Sequence, residues 1–164
     1  MSFYYRELQV HLTGALQLLS TYASASQSIQ EAVTKAACCI YNKTTGNYIT
    51  SGGGQVLIMS ESSGGTGSTT GTYRKLIHNH AKLKNAGGVF RSSDAELKIL
   101  DRLMTLTTWG TNYLVVIKVT RKPCPACSYA ISKFFTEHSG QGALAVVWPG
   151  GEKIYGALSG PELA

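Results

Sequence analysis

Apolar residues at Leu8, Leu12, Ala15, Leu16, Leu19 and Tyr22 recur at the spacing of one helix face, which predicts an amphipathic helix at the start of the chain. A second helix is expected from about Ile29. Ser28-Ile29-Gln30-Glu31 has the form of a capping box, and Val33, Ala36 and Ala37 continue its apolar face. Cys38 to Tyr41 and Tyr48 to Thr50, separated by a turn containing Gly46, predict a hairpin with both cysteines as buried strand residues. The apolar run Val56 to Met59 predicts a short strand, and the Gly-, Ser- and Thr-rich stretch Ser60 to Gly71 a mobile loop. Tyr73, Leu76, Ile77, His80 and Leu83 share a helix face that ends at Asn85-Ala86-Gly87-Gly88. Further helices are expected from Asp94 to about Thr107 and from Pro123 to His138, with a buried strand from Asn112 to Thr120 between them. Ala143 to Trp148 and Lys153 to Gly156 flank only Pro149-Gly150-Gly151-Glu152. That connection is too short for a crossover helix, so the last two strands should be antiparallel neighbours.

At 164 residues the chain is most simply one domain, 1–164, with N-terminal helices over 1–37 and a core over 38–156. Its four cysteines, two adjacent and two in a C-x-x-C, do not form a secreted disulfide framework, which points to a reduced, cytoplasmic place of action. No apolar run approaches the ~20 residues that span a bilayer, so no membrane partner is expected. Residues 74 to 122 hold ten basic and three acidic side chains, a field that favours a polyanionic partner such as nucleic acid over a neutral metabolite.

Two of those three acidic residues belong to the motif Asp94-Ala95-Glu96, and Pro123-Cys124-Pro125-Ala126-Cys127 follows it at a distance of 30 residues. Each opens a predicted helix. Zinc hydrolysis needs three protein ligands, an open position for water and a nearby acid/base, and this pattern can supply all of them. Asp94, Cys124 and Cys127 are the candidate Zn2+ ligands, and Glu96 is the candidate proton carrier. Two thiolates and a carboxylate leave a zinc site at formal charge −1; two helix N-termini and the flanking Arg91, Lys98, Arg121 and Lys122 are expected to offset it. Three alternatives compete. Ser93-Asp94-Ala95-Glu96 is itself a capping box; His80 offers a third ligand in place of Asp94; and strand, Cys-Pro-Ala-Cys, helix suits a thioredoxin-like redox site, although only 37 residues follow Cys127.

The segments Arg91 to Leu100 and Val119 to Ile131 resemble the bacterial toxin deaminases of the cytidine deaminase superfamily, in particular the C-terminal domains of polymorphic and type VI secreted toxins. The resemblance implies a three-layer α/β/α cytidine deaminase-like fold around a mixed five-stranded sheet with its last two strands antiparallel. It also implies zinc ligation by Asp94, Cys124 and Cys127, with Asp94 where the superfamily usually has His, and proton transfer by Glu96. The implied activity is conversion of cytosine to uracil in nucleic acid, with single-stranded DNA favoured over RNA, double-stranded DNA or a free nucleotide. Delivery into a target bacterium and a cognate immunity protein would go with it. The alternative outside the class is a non-catalytic nucleic-acid-binding domain with structural zinc. From chemistry alone, Phe90, Tyr129 and Trp148 are base-stacking candidates, and Arg91, Arg121 and Lys122 are phosphate-contact candidates.

Overall fold

The computed structural model describes residues 3–22, 34–64, 71–79, 94–106, 112–138 and 142–157. The elements in chain order are α1 (Tyr5–Leu18), β1 (Lys35–Asn42), β2 (Asn47–Tyr48), β3 (Met59–Ser62), α2 (Thr72–Asn79), α3 (Ala95–Leu103), β4 (Tyr113–Val119), α4 (Pro125–His138), β5 (Ala143–Trp148) and β6 (Gly151–Tyr155).

The sheet order is β2-β1-β4-β5-β6, with β3 also paired to β1. β1 runs antiparallel to β4, β4 parallel to β5, and β5 antiparallel to β6, so the sheet is mixed and its last pair antiparallel; β6 begins at Gly151, not at Lys153, which leaves only Pro149-Gly150 as the turn. It has six strands where five were expected. The reason lies along one flank of β1, which is shared by two short partners: β2 pairs with Tyr41 and Asn42, and β3 with Lys35 to Cys38.

The period-two alternation of strand side chains assigns the two sheet faces. On β1, β4 and β5, Ala36, Cys38, Ile40, Val115, Ile117, Val119, Leu144 and Val146 point to the face covered by α2, α3 and α4. Their neighbours Ala37, Cys39, Leu114, Val116, Ala143 and Ala145 point to the opposite face, where Leu8, Leu12 and Ala15 of α1 cover them. The result is the expected α/β/α layering. Cys38 and Cys39, adjacent in sequence, therefore lie on opposite sides of the sheet, and burial pushes both thiols up, Cys39 to about 12. They are core residues.

Two sequence assignments change. Residues 35–37 are strand, not the end of a second N-terminal helix, so the 1–37 boundary moves and the sheet begins at Lys35; residues 23–33 lie outside the described residues. The strand predicted at Val56 to Met59 is displaced to Met59–Ser62, which claims the start of the predicted mobile loop, while Val56 forms a single bridge with Thr50. Pairing with β1 selects the second register. Met59 is buried under α3 and Ser60 is exposed, which is what a strand laid along β1 needs, whereas a run of four apolar residues would place two of them in water.

α3 and α4 bring the two motifs together at one end of the sheet. β4 ends at Val119, and buried Pro123 leads into α4 with Pro125 at its first turn, where a missing N–H costs nothing. α3 packs on β1, β3, α2 and α4 through Leu97, Ile99, Leu100 and Leu103, all buried. No helix among the described residues is long and apolar enough to cross a membrane.

Candidate metal centre

Asp94 is the residue at the N-cap of α3, with extended backbone (φ −66°, ψ 147°), yet its side chain makes no capping hydrogen bond. With the cap at Asp94, Glu96 is the second helical residue. A capping box pairs the cap with the third, which here is Leu97, so the Ser93 to Glu96 box is out of register. The Asp94 carboxylate instead faces α4. Its Oδ2 lies 3.1 Å from Cys127 Sγ and 3.7 Å from Cys124 Sγ, both positioned to donate to it.

The start of α4 fixes the two sulfurs. Cys124 sits just before Pro125, its carbonyl accepting from Ser128 N–H at 2.9 Å and its Sγ from Cys127 N–H at 3.5 Å. One helical turn therefore holds both thiols on the side facing Asp94. The three ligand atoms of Asp94, Cys124 and Cys127 lie within 4.8 Å of one another and could hold a metal ion.

Glu96 stands beside this group and is 3% exposed, the single buried charged residue among those described. Its Oε1 is buried with no hydrogen-bond partner. Burial pushes its carboxyl up to about 7, and the charges of Asp94 and Cys124 add to the rise, against hydrogen bonds from its own backbone and from Cys127. The Cys127 thiol is raised as well, first by its hydrogen bond with Cys124 and then by burial and the nearby acids. Burial and the neighbouring acidic groups thus hold both Glu96 and Cys127 toward their neutral forms. A divalent cation would reverse that balance and favour all the deprotonated ligands, so the donor set and the unpartnered oxygen both fit a bound metal.

The other candidates are dispersed. Arg121 and Lys122 are exposed on the connection from β4 to Cys124. Tyr129 is 36% exposed on α4, two residues past Cys127 and so on a different helix face. Trp148 is partly buried against the core at the end of β5, and its indole lies over Gly151, where an added Cβ would collide with the ring. The parallel register that sets Lys118 against Val147 brings Trp148 to the same sheet end as Val119. Lys98, expected to offset the site charge, donates to the Ser62 carbonyl at 2.7 Å. His80, Phe90 and Arg91 lie outside the described residues. Sequence reasoning missed Asp101, which accepts from Tyr73 N–H at 2.7 Å and Arg74 N–H at 3.3 Å and so caps α2 from the helix that carries Asp94. Its only signal was a lone acid in a basic stretch. No protein-family model matches the chain, and comparison with curated proteins finds no match.

Proposed function

We propose that this chain is a zinc-dependent hydrolytic deaminase that converts cytosine to uracil in nucleic acid, with single-stranded DNA as the favoured substrate, and that it serves as a bacterial toxin domain acting in the cytoplasm of a target cell and restrained by an immunity protein. The observation that carries the reading is the convergence of Asp94, Cys124 and Cys127 beside the buried carboxyl of Glu96, whose Oε1 has no hydrogen-bond partner. Two sulfurs and one oxygen make a three-ligand set that leaves a fourth tetrahedral position open, and thiolates favour zinc over hard cations. Bound there, zinc would supply the Lewis acidity that makes water nucleophilic at neutral pH.

Glu96 does the proton work. In this scheme its carboxylate takes a proton from the attacking water and hands it to the ring nitrogen. Water oxygen bonds to C4, the C4–N bond then breaks, and the amine leaves as ammonia after taking a proton through the same carboxyl group. The basic excess between Arg74 and Lys122 supports a nucleic-acid substrate, and Arg121, Lys122 and Tyr129 are exposed near the start of α4.

Zinc-loaded protein is expected to convert cytosine-containing single strands, read by mass spectrometry as exchange of an amine for a carbonyl, and to leave adenine-containing strands unchanged. Equal turnover of free cytidine with no salt effect would replace nucleic acid by a small metabolite. Full zinc occupancy with no conversion of any cytosine substrate would favour a structural zinc in a binding domain.

Asp94 tests the ligand set separately. Asp94→Ala is expected to lose zinc, and Asp94→His, which supplies a neutral nitrogen ligand, to retain part of the metal and activity. Loss of a mere cap would cost about 0.5–2 kcal/mol of stability and leave zinc in place. A folded, fully zinc-loaded Asp94→Ala protein would remove Asp94 from the ligand set.

A further inference from the structure

We infer that the cleft between α2, α3 and β3 holds the phosphate backbone of a single nucleic-acid strand; this rests on the deaminase reading above and names the path its substrate takes. The cleft has a volume of about 410 Å³, and its charged walls are Glu61, Arg74, Lys98, Asp101 and Arg102.

Three observations carry the inference. The first is placement. Lys98 and Arg102 follow Asp94 at four-residue intervals on α3, so successive turns of one helix bear the candidate ligand and then two cations, each interval about 6 Å along the axis. The second is the disposition of the acids. Glu61 is paired with Arg102 at 2.9 Å. Asp101 is turned to the first amides of α2, a helix whose first turn has no acid of its own, and it lies so close to Gly71 that a Cβ there would collide with its carboxylate. Both carboxylates are therefore engaged by groups of the protein, Asp101 also by the charge of Arg74, and the three cations of the walls outnumber the two acids. The third is donor capacity. Lys98 donates to the Ser62 carbonyl and Arg102 Nη1 to Ser60 and Glu61, which among the described residues engages one of three lysine donors and one nitrogen of the five-donor guanidinium fork. Cations strung along a helix, instead of converging on one point, suit the successive phosphates of a strand better than a single anion.

The test uses zinc-loaded protein and a fluorescent oligothymidylate, which binds as a single strand and carries no cytosine. Two lost phosphate contacts are expected to reduce the slope of log affinity against log salt by about 1.4 in the double variant Arg74→Gln, Lys98→Gln. The charge-preserving pair Arg74→Lys, Lys98→Arg should keep the wild-type slope, and so should Lys153→Gln on β6. On a cytosine-containing strand the double glutamine variant should raise KM and leave kcat near wild type. If the double variant melts low, either single glutamine variant should reduce the slope by about 0.7. An unchanged slope in folded variants, while the wild type binds and deaminates single strands, would exclude the cleft and leave the deaminase reading standing. A wild type that binds no single strand would remove the nucleic-acid substrate and the cleft's role together.

Discussion

Glu96→Gln is expected to keep its fold and its zinc and to lose roughly 10²–10⁴-fold of the deamination rate. The amide has the shape of the carboxyl it replaces, so the packing around this buried position survives, but it cannot shuttle a proton. One oxygen of the wild-type carboxyl, Oε1, has no partner, and burial with nearby acids raises the group to about 7 against hydrogen bonds from its own backbone and from Cys127. Replacing it with a neutral isostere removes a buried acid and should shift the melting temperature little. Zinc content, thermal melting and oligonucleotide turnover on the same preparation separate the roles. Wild-type turnover by a zinc-loaded Gln variant would remove Glu96 from the mechanism. A collapse of folding would show instead that the residue is structural.

The second large effect is on the metal itself. If zinc is present at about a thousand times its dissociation constant, it stabilises the native state by about 4 kcal/mol, so a chelator should lower the melting temperature by about 8–16 °C for a chain of this size. Cys127→Ala should abolish both the bound zinc and that response to chelator. Alanine suits the site because Cys127 is fully buried in the apolar cluster under the sheet, where a serine hydroxyl would add a cost unrelated to metal. Cys39→Ala, on the opposite face, should keep zinc and show the chelator shift. One zinc per chain in purified Cys127→Ala would place the metal elsewhere.

The elements most legible in the sequence were those with a single apolar stripe or a tight connection, and the doubly buried strands β4 and β5, which are bounded by polar or Gly/Pro residues. α1 shows a single apolar stripe, and the tight connection after Trp148 dictates the direction of β6. Ala36 and Ala37 were misread because β1 is buried on both faces, so its residues form a continuous apolar run that helical spacing fits equally well. β3 was displaced for the opposite reason. Met59-Ser60-Glu61-Ser62 is mostly polar, and its strand conformation comes from the hydrogen bonds that β1 offers it. The candidate centre was legible because each half lies within a few residues at a helix start, where spacing alone dictates what can meet. Ser93 to Glu96 also fitted a capping box, and only the actual start of α3 separated the two readings. Asp101 stayed hidden because its partners are the backbone amides of another helix, which no side-chain pattern announces.

The hydrogen bonds from Lys98 and Arg102 to β3 have a consequence for the behaviour of the chain in bulk. The Ser60 and Ser62 carbonyls they occupy lie on the flank of β3 that no described strand covers, the flank where another molecule's extended segment would add itself to a sheet. An incoming strand must first strip two cations from that row. Interrupting the row into two short strands, β2 and β3, leaves no long straight template either. Templated association through this flank is thereby discouraged, and a variant lacking both cations would trade a substrate contact for a tendency to self-assemble at high concentration.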